Sequence, residues 1–176
     1  MLQRKMNAGI GLLVTLLLFV HAISISVWTL SGGSIENVPT FIPWALTGLT
    51  LLHVFISIDM AISALMNAEK RPCKQYPKMN VSTWVQRISG VLMVIFTGLH
   101  IAGAMGYMKP PKVIHGIVPP LFFAIVLVHI AVSTSKALIT LGIGNAKLVK
   151  AVDVAVKVLC GVTLIADVVG FYLYLW

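Results

Sequence analysis

The chain has 176 residues, of which 59% are hydrophobic and only 10% are charged, and its mean hydropathy is +0.97. Soluble domains have roughly a quarter of their residues charged, so this composition excludes a soluble globular domain. The net charge of +8 is concentrated near the ends of apolar runs, which is typical of membrane topology signals and docking loops and not of a nucleic-acid-binding domain.

Five apolar runs are each long enough for a helix that crosses the ~30 Å of hydrocarbon in a bilayer. None of them alternates polar and apolar residues as a strand does, which favours a helical bundle over a barrel. The sequence therefore predicts an all-α membrane protein with a single transmembrane domain over residues 1–176. The predicted transmembrane helices are 8–30, 41–66, 85–108, 113–141 and 149–176.

The first predicted helix contains a histidine, His21, well inside its apolar run. Arg4 and Lys5 come before the run, and Gly11 and Asn7 precede the histidine by ten and fourteen residues. Fourteen residues are nearly four helical turns, so Asn7 and His21 share one face of the helix.

The second predicted helix contains His53, with Asp59 six residues later near its inner end. Glu36 is the acidic residue of the loop before it. The connection after it carries four basic residues, Lys70, Arg71, Lys74 and Lys78. Because cytoplasmic loops carry an excess of Lys and Arg, we expect the N-terminus and this connection in the cytoplasm and the C-terminus outside.

The third predicted helix opens with the letters QRISG, from Gln86 to Gly90, and contains His100. As in the first helix, a glycine and an amide residue stand ten and fourteen residues before the histidine. The match suggests one helical hairpin used twice, although leucine-rich membrane helices also resemble one another without such a repeat.

The fourth predicted helix contains His129, and Lys136 follows it by seven residues, two turns along the same face. His115 precedes His129 by fourteen residues on that face, close to Lys109 and Lys112. The fifth predicted helix has no histidine.

The four intramembrane histidines lie at two predicted depths. At 1.5 Å per residue, His21 and His100 are ~20 Å from the cytoplasmic edge, and His53 and His129 are ~12 Å from it. The two axial ligands of one haem lie at one depth on opposite sides of the ring, so His21 should pair with His100, and His53 with His129. The sequence thus predicts a four-helix haem-binding bundle plus a fifth helix, with two b haems whose filled coordination is typical of electron transfer.

Other uses of the histidines fit this pattern less well. Zinc needs tetrahedral ligands around one point, and two depths do not provide them. A proton pathway would normally include more intramembrane acids. A single buried imidazole is often only hydrogen-bonded to a neighbouring helix, but one histidine in each of four helices favours haem.

The propionates of a haem need cations or hydrogen-bond donors near the membrane edge. The predicted partners of the inner haem are polar residues of the inner helix ends, Lys136, Gln86, Asn7, Trp84 and Ser89. The predicted partners of the outer haem, or of a quinone, are His115, Lys109 and Lys112. For each lysine, ordinary snorkelling to the interface is the alternative.

The five spans, the histidine in each of the first four and the QRISG letters resemble the single-subunit dihaem cytochrome b anchor of succinate dehydrogenase and fumarate reductase. The resemblance covers essentially the whole chain through its histidine layout. It implies that His21 and His100 ligate the outer (distal) haem, and His53 and His129 the inner (proximal) haem. It also implies a cytoplasmic flavoprotein subunit with FAD, an iron–sulfur subunit, and electron exchange with a quinone, for which menaquinone is expected, in a bacterial or archaeal cytoplasmic membrane. No dicarboxylate chemistry would take place in this chain itself.

The acidic residues depart from that family in one respect. Fumarate-reducing members with an outer quinol site carry an acid in the outer part of the second span, and residues 38–52 contain none here. The candidates for proton exchange with a quinone are therefore Glu36, Asp167 and Asp59. Two alternative functions stay open, a cytochrome b anchor of a hydrogenase or formate dehydrogenase and a haem-free transporter or scaffold.

Overall fold

The computed structural model describes residues 2–31, 41–68, 81–107 and 112–175. Within these ranges the chain forms five helices, α1 (Leu2–Leu30), α2 (Phe41–Ala68), α3 (Val81–Ala104), α4 (Lys112–Leu141) and α5 (Ala146–Leu175). The predicted all-helical class is confirmed for this part of the chain. Four helices contain a stretch long and apolar enough to cross a membrane, Leu2–Val27, Phe41–Ala64, Val81–Gly103 and Ile117–Leu141, whereas a membrane crossing by α5 stays a prediction.

Several helices begin before the apolar runs. α1 starts at Leu2 and not at residue 8, because the Gln, Arg, Lys and Met residues in its first turns are good helix formers despite their polarity. α5 starts directly after Asn145, whose side-chain oxygen accepts hydrogen bonds from the backbone N–H groups of Lys147 and Leu148, both at 3.1 Å. Asn145 is therefore a helix N-cap.

Two helices end at a glycine in the left-handed conformation. Gly106 has a φ of 76°, and the backbone N–H of Tyr107 donates to the carbonyl of Ala102 at 3.0 Å. Glycine adopts this φ without a Cβ clash, so α3 stops at Ala104, short of the predicted boundary at residue 108. Gly142, with a φ of 96°, ends α4 in the same way.

α1 and α4 form the centre of the bundle. They pack against each other, α2 packs against α1, α3 packs against α4, and α5 packs against both central helices. The first four helices therefore follow one another in space in the order α2, α1, α4, α3. The pairs α1/α3 and α2/α4 are diagonal, and within the described residues neither of these pairs packs extensively, nor does α2 against α3.

The tightest packing lies where α5 covers α1 and α4. The buried apolar cluster there consists of Phe19, Val126, Leu127, Ile130 and Cys160. Many other large apolar side chains are exposed, as expected for helices whose outer faces contact lipid. The fifth helix thus braces the two central helices from one side.

Polar side chains join the helices of each hairpin at the end of the bundle where α1 begins, which we name the N-terminal end. Between α1 and α2, the amide nitrogen of Asn7 donates to the hydroxyl oxygen of Ser57 at 3.1 Å. Between α3 and α4, the ammonium group of Lys136 donates to the amide oxygen of Gln86 at 2.9 Å. Such bonds between membrane helices contribute ~0.6 kcal/mol each, and they favour one register of each hairpin.

Candidate functional site

Each of the first four helices carries a histidine deep in its apolar run, and these four, His21, His53, His100 and His129, lie at two levels of the bundle; the side chain of the fifth histidine, His115 near the start of α4, lies outside the described residues. His53 of α2 lies against Gly11 of α1, and His129 of α4 lies against Gly90 of α3. Each glycine stands ten residues before the histidine of its own helix, which is about 15 Å along the helix. His53 and His129 are therefore about that much closer to the N-terminal end than the histidines of α1 and α3.

Histidines of the same level are neighbours. A positive charge on His100 would repel one on His21, and a charge on His53 would repel one on His129, so each pair lies within electrostatic range. The members of a pair belong to diagonal helices, which do not pack extensively against each other in the described residues. The two members of each pair therefore come from helices that stand apart. We name His53 and His129 the inner pair, and His21 and His100 the outer pair.

A hydroxyl group orients the imidazole of His129. Nδ1 of His129 lies 3.0 Å from Oγ of Ser89, and the same hydroxyl donates to the carbonyl oxygen of Val85 at 2.6 Å. A hydroxyl has a single proton, and we assign that proton to the shortest contact, the one with Val85, so that Ser89 accepts from the Nδ1–H of His129. This bond assigns the proton to Nδ1 and leaves the lone pair of Nε2 free, which is the tautomer that a metal ligand requires.

The imidazole of His53 has a less complete environment. Its Nδ1 is buried and has no hydrogen-bond partner of standard geometry, although the backbone carbonyl of Asn7 lies close to the ring. The residue before Gly11 is Ile10, whereas the residue before Gly90 is a serine, so α1 offers no hydroxyl at the equivalent position. The inner pair is therefore asymmetric in its hydrogen bonding.

The outer pair has an aromatic neighbour on one side. The ring of His100 lies against Phe122 of α4, with the ring centroids 5.7 Å apart. Phe122 in turn stacks on Phe96 of α3 at 6.0 Å. His100 is exposed, and His21 is half-buried with an Nδ1 that is sealed from solvent and unpartnered. Aromatic packing thus supports the ring of His100, whereas Nδ1 of His21 lacks a hydrogen bond.

The donor set fits two planar macrocycles with axial imidazoles. Among the described residues, the Nε2 atoms of His21, His53 and His129 are not among the buried polar atoms without a partner, whereas the Nδ1 atoms of His21 and His53 are. Each level therefore offers two imidazoles, one from each of two helices that stand apart. Haem iron with two histidine ligands needs this arrangement, whereas zinc needs its ligands around one point.

The residues predicted for the periphery of the inner haem lie at the N-terminal end but do not all act alike. Lys136 is bonded to Gln86 and is close enough to His129 for its charge to be felt there. Ser89 contacts the imidazole of His129 itself. Trp84 is 52% exposed near the start of α3. Lys136 and Gln86 are thus the polar side chains best placed to interact with a group bound between His53 and His129.

Of the three acidic candidates, Asp59 is the one whose side chain the structure describes. It is exposed on α2, and its carboxylate accepts a hydrogen bond from the side-chain amide of Gln3 on α1. The other predicted candidates lie outside the described residues, either entirely or in their side chains: Glu36, Lys109, Lys112, His115 and Asp167.

The matching residue spacing found in α1 and α3 has a counterpart in α2 and α4, the second helices of the two hairpins. Pro43 and Pro119 each stand ten residues before the histidines of α2 and α4, and Ser57 and Ser133 each stand four residues after them. This spacing is visible in the sequence and strengthens the equivalence of the hairpins α1–α2 and α3–α4. The two hairpins also present their inner histidines to equivalent glycines.

Comparisons with protein-family models, with curated proteins and with solved structures find no match to this chain. The two histidine levels, the diagonal helix pairs and the hydrogen bond at His129 are thus the features that indicate its chemistry.

With the two haems predicted from the sequence bound, replacing Ser89 with alanine is expected to raise the midpoint potential of the haem between His53 and His129. A hydrogen bond accepted from Nδ1–H makes the imidazole a stronger electron donor and so stabilises ferric iron. The shift in midpoint potential should not exceed the ~1 kcal/mol that one hydrogen bond contributes, which corresponds to about 40 mV for a one-electron couple. A redox titration followed by optical spectra measures it.

Thr163→Val is the matched control for Ser89→Ala, because Thr163 is also buried and its hydroxyl also donates to a backbone carbonyl, that of Leu159 at 2.7 Å. It lies on α5, which carries no histidine. Ile10→Ser, which offers His53 a hydroxyl at the equivalent position, is expected to lower the same potential. An unchanged or lower potential in Ser89→Ala would contradict the assigned hydrogen bond.

Proposed function

We propose that this chain is the dihaem cytochrome b membrane-anchor subunit of a succinate:quinone oxidoreductase, of the succinate dehydrogenase and fumarate reductase type. The observation that carries the proposal is the presence of two histidine pairs, at two levels, on diagonal helices that stand apart. Each pair would hold one b haem through Nε2 atoms.

The chain's own residues would determine how each haem is held. Each haem, when bound, supplies a one-electron carrier with a filled coordination sphere. His129 would present Nε2 because Ser89 accepts its Nδ1 proton, and the carbonyl of Asn7 lies close to the ring of His53. Two histidines on each iron would leave no coordination position for a substrate, so the chain would transfer electrons and would not activate oxygen.

Basic residues at the N-terminal end support docking of soluble subunits there. Arg4, Lys5, Lys147 and Lys150 are exposed at the ends of α1 and α5. In the proposed orientation this end is cytoplasmic by the positive-inside rule, with the C-terminus of a five-span chain outside. A flavoprotein subunit with FAD and an iron–sulfur subunit would bind at this face, in a bacterial or archaeal cytoplasmic membrane, and the inner pair would be the nearer to their clusters.

The electron partner on the membrane side would be a quinone, with menaquinone expected. Asp59, on α2 and bonded to Gln3, is the candidate for proton exchange at the cytoplasmic face. Glu36 and Asp167 are the candidates at the outer face. The dicarboxylate reaction itself would belong to the flavoprotein partner.

The purified protein is expected to hold two non-covalent b haems per chain, each low-spin, because four histidines form two pairs. A reduced-minus-oxidised spectrum and a pyridine haemochrome assay measure the haem-to-chain ratio. A ratio of zero after gentle purification would instead favour a haem-free transporter or scaffold, and a ratio of one would contradict the two-level arrangement.

The co-purifying subunits distinguish the remaining alternative. A flavoprotein and an iron–sulfur protein with succinate- or fumarate-dependent quinone chemistry support the proposal. Co-purification of a hydrogenase or formate dehydrogenase with the same two haems would reassign the chain as the cytochrome b anchor of that enzyme.

A further inference from the structure

We propose that Gly11 and Gly90 are positioning residues for the inner haem, although both belong to the helices that carry the outer pair. Each glycine leaves a recess in its helix, and an inner-pair imidazole from the neighbouring helix occupies that recess. The inference rests on the proposed function, because it assigns the glycines a role in placing axial ligands.

The distances at both glycines are short. A Cβ atom built on Gly11 would lie 3.1 Å from Cε1 and 3.4 Å from Nδ1 of His53. A Cβ atom built on Gly90 would lie 3.3 Å from Cε1 and 3.6 Å from Nδ1 of His129. Contacts of 3.1 and 3.3 Å are tighter than ordinary carbon–carbon packing at 3.5–4.0 Å, so an alanine would push either imidazole outward by a few tenths of an ångström.

The same two recesses bring the rings close to backbone carbonyls. The carbonyl of Asn7 lies close to His53 and that of Gln86 lies close to His129, and these residues precede the glycines by four positions. In a helix the carbonyl of residue i points toward residue i+4, where a side chain would shield it. Glycine at i+4 therefore lets the ring reach the carbonyl, and at Gly11 the ring lies close enough that a Cβ atom would also be 3.8 Å from Nε2 of His53.

The arrangement makes each of α1 and α3 serve both levels. α1 carries His21 of the outer pair and the recess for His53, and α3 carries the equivalent outer ligand and the recess for His129. A displacement of the ring within its recess changes the direction of Nε2. The glycines thus set the ligand geometry of the inner level without touching the outer one.

Two other glycines of the same helices provide matched controls. A Cβ atom built on Gly9 of α1 or on Gly98 of α3 would meet no heavy atom within 4 Å. Alanine is a better helix former than glycine, so Gly9→Ala and Gly98→Ala change the helix propensity in the same direction without entering a recess.

The experiment compares Gly11→Ala and Gly90→Ala with these two controls in the haem-loaded complex, by electron paramagnetic resonance of the ferric haems and by haem content. We expect Gly11→Ala to lose at least half of the low-spin signal of the inner haem or to shift its highest g value, and to retain the outer signal. Gly90→Ala should show a smaller effect of the same kind, because its contact is longer, and the double variant should approach one haem per chain. Gly9→Ala and Gly98→Ala should match the unmodified protein.

The retained outer signal reports that each variant has folded, and Gly90→Ala carries the test if Gly11→Ala does not assemble. Spectra of both recess variants that match their controls would overturn the inference and leave the proposed function intact. Equal loss of both haem signals would also overturn it, since the glycines would then serve the fold as a whole. An unmodified protein without haem would overturn the proposed function and this inference together.

Discussion

Replacing His53 with alanine is expected to halve the haem content of the purified protein and to remove one low-spin component from its spectrum. Replacing His21 is expected to remove the other component. The reason is the two-level arrangement, in which His53 lies near His129 and His21 lies near His100. A haem that loses one of two axial imidazoles becomes five-coordinate and high-spin or is lost.

The remaining two histidines provide the internal controls for this prediction. His129→Ala should reproduce the spectrum of His53→Ala, and His100→Ala should reproduce that of His21→Ala, as measured by low-temperature optical and paramagnetic resonance spectra. Loss of the inner haem should also uncouple the soluble subunits from quinone reduction. If His53→Ala and His21→Ala removed the same component, the pairing would be refuted.

Replacing Lys136 with glutamine is expected to lower the midpoint potential of the inner haem and to leave that of the outer haem nearly unchanged. Lys136 lies two turns from His129 on α4, is half-buried, and its ammonium group is bonded to Gln86 at 2.9 Å. A nearby cation disfavours ferric iron, which carries one more positive charge than ferrous iron. Removing a unit charge ~10 Å from the iron, at an effective dielectric constant near 20, changes this balance by about 1.7 kcal/mol, or ~70 mV. Solvent and salt at the N-terminal end screen the charge, so this value is an upper bound.

A redox titration of both haems measures the effect of Lys136→Gln. Lys150→Gln is the matched control, because Lys150 is an exposed lysine at the same end of the bundle on α5, the helix without a histidine. It should shift neither potential appreciably. Unchanged potentials in Lys136→Gln would return Lys136 to the role of an interfacial, topology-setting lysine.

The helices could be predicted closely from hydropathy, but their ends could not. Long apolar runs indicate where a chain can contact lipid, and most of each of the five runs lies in one helix. Helix ends depend instead on local backbone chemistry. α1 continues to Leu2 through polar helix formers, and α3 stops at Ala104 because Gly106 adopts a positive φ.

The contacts within the candidate site could be predicted from the sequence only in part. The spacing from Asn7 and Gly11 to His21 indicated a repeated hairpin, but the purpose of the glycine was not evident. Gly11 receives the ring of His53 from another helix, and no spacing within α1 reveals that partner. In the same way Ser89, which was predicted near a propionate, contacts His129.

The sequence by itself determined that the chain is helical, with helices long and apolar enough to cross a membrane, and that four of its helices carry a histidine deep in the apolar run, at two heights. It could do so because the rise and turn per residue convert spacing along one helix into height and face. Only the tertiary structure decided that α1 and α4 are central, that the histidine pairs lie on diagonals, and that one inner histidine is held by Ser89 while the other is not. These features depend on which helices are neighbours and how each is rotated. Leucine-rich surfaces leave that choice open, and close contacts at small residues and a few interhelical hydrogen bonds decide it.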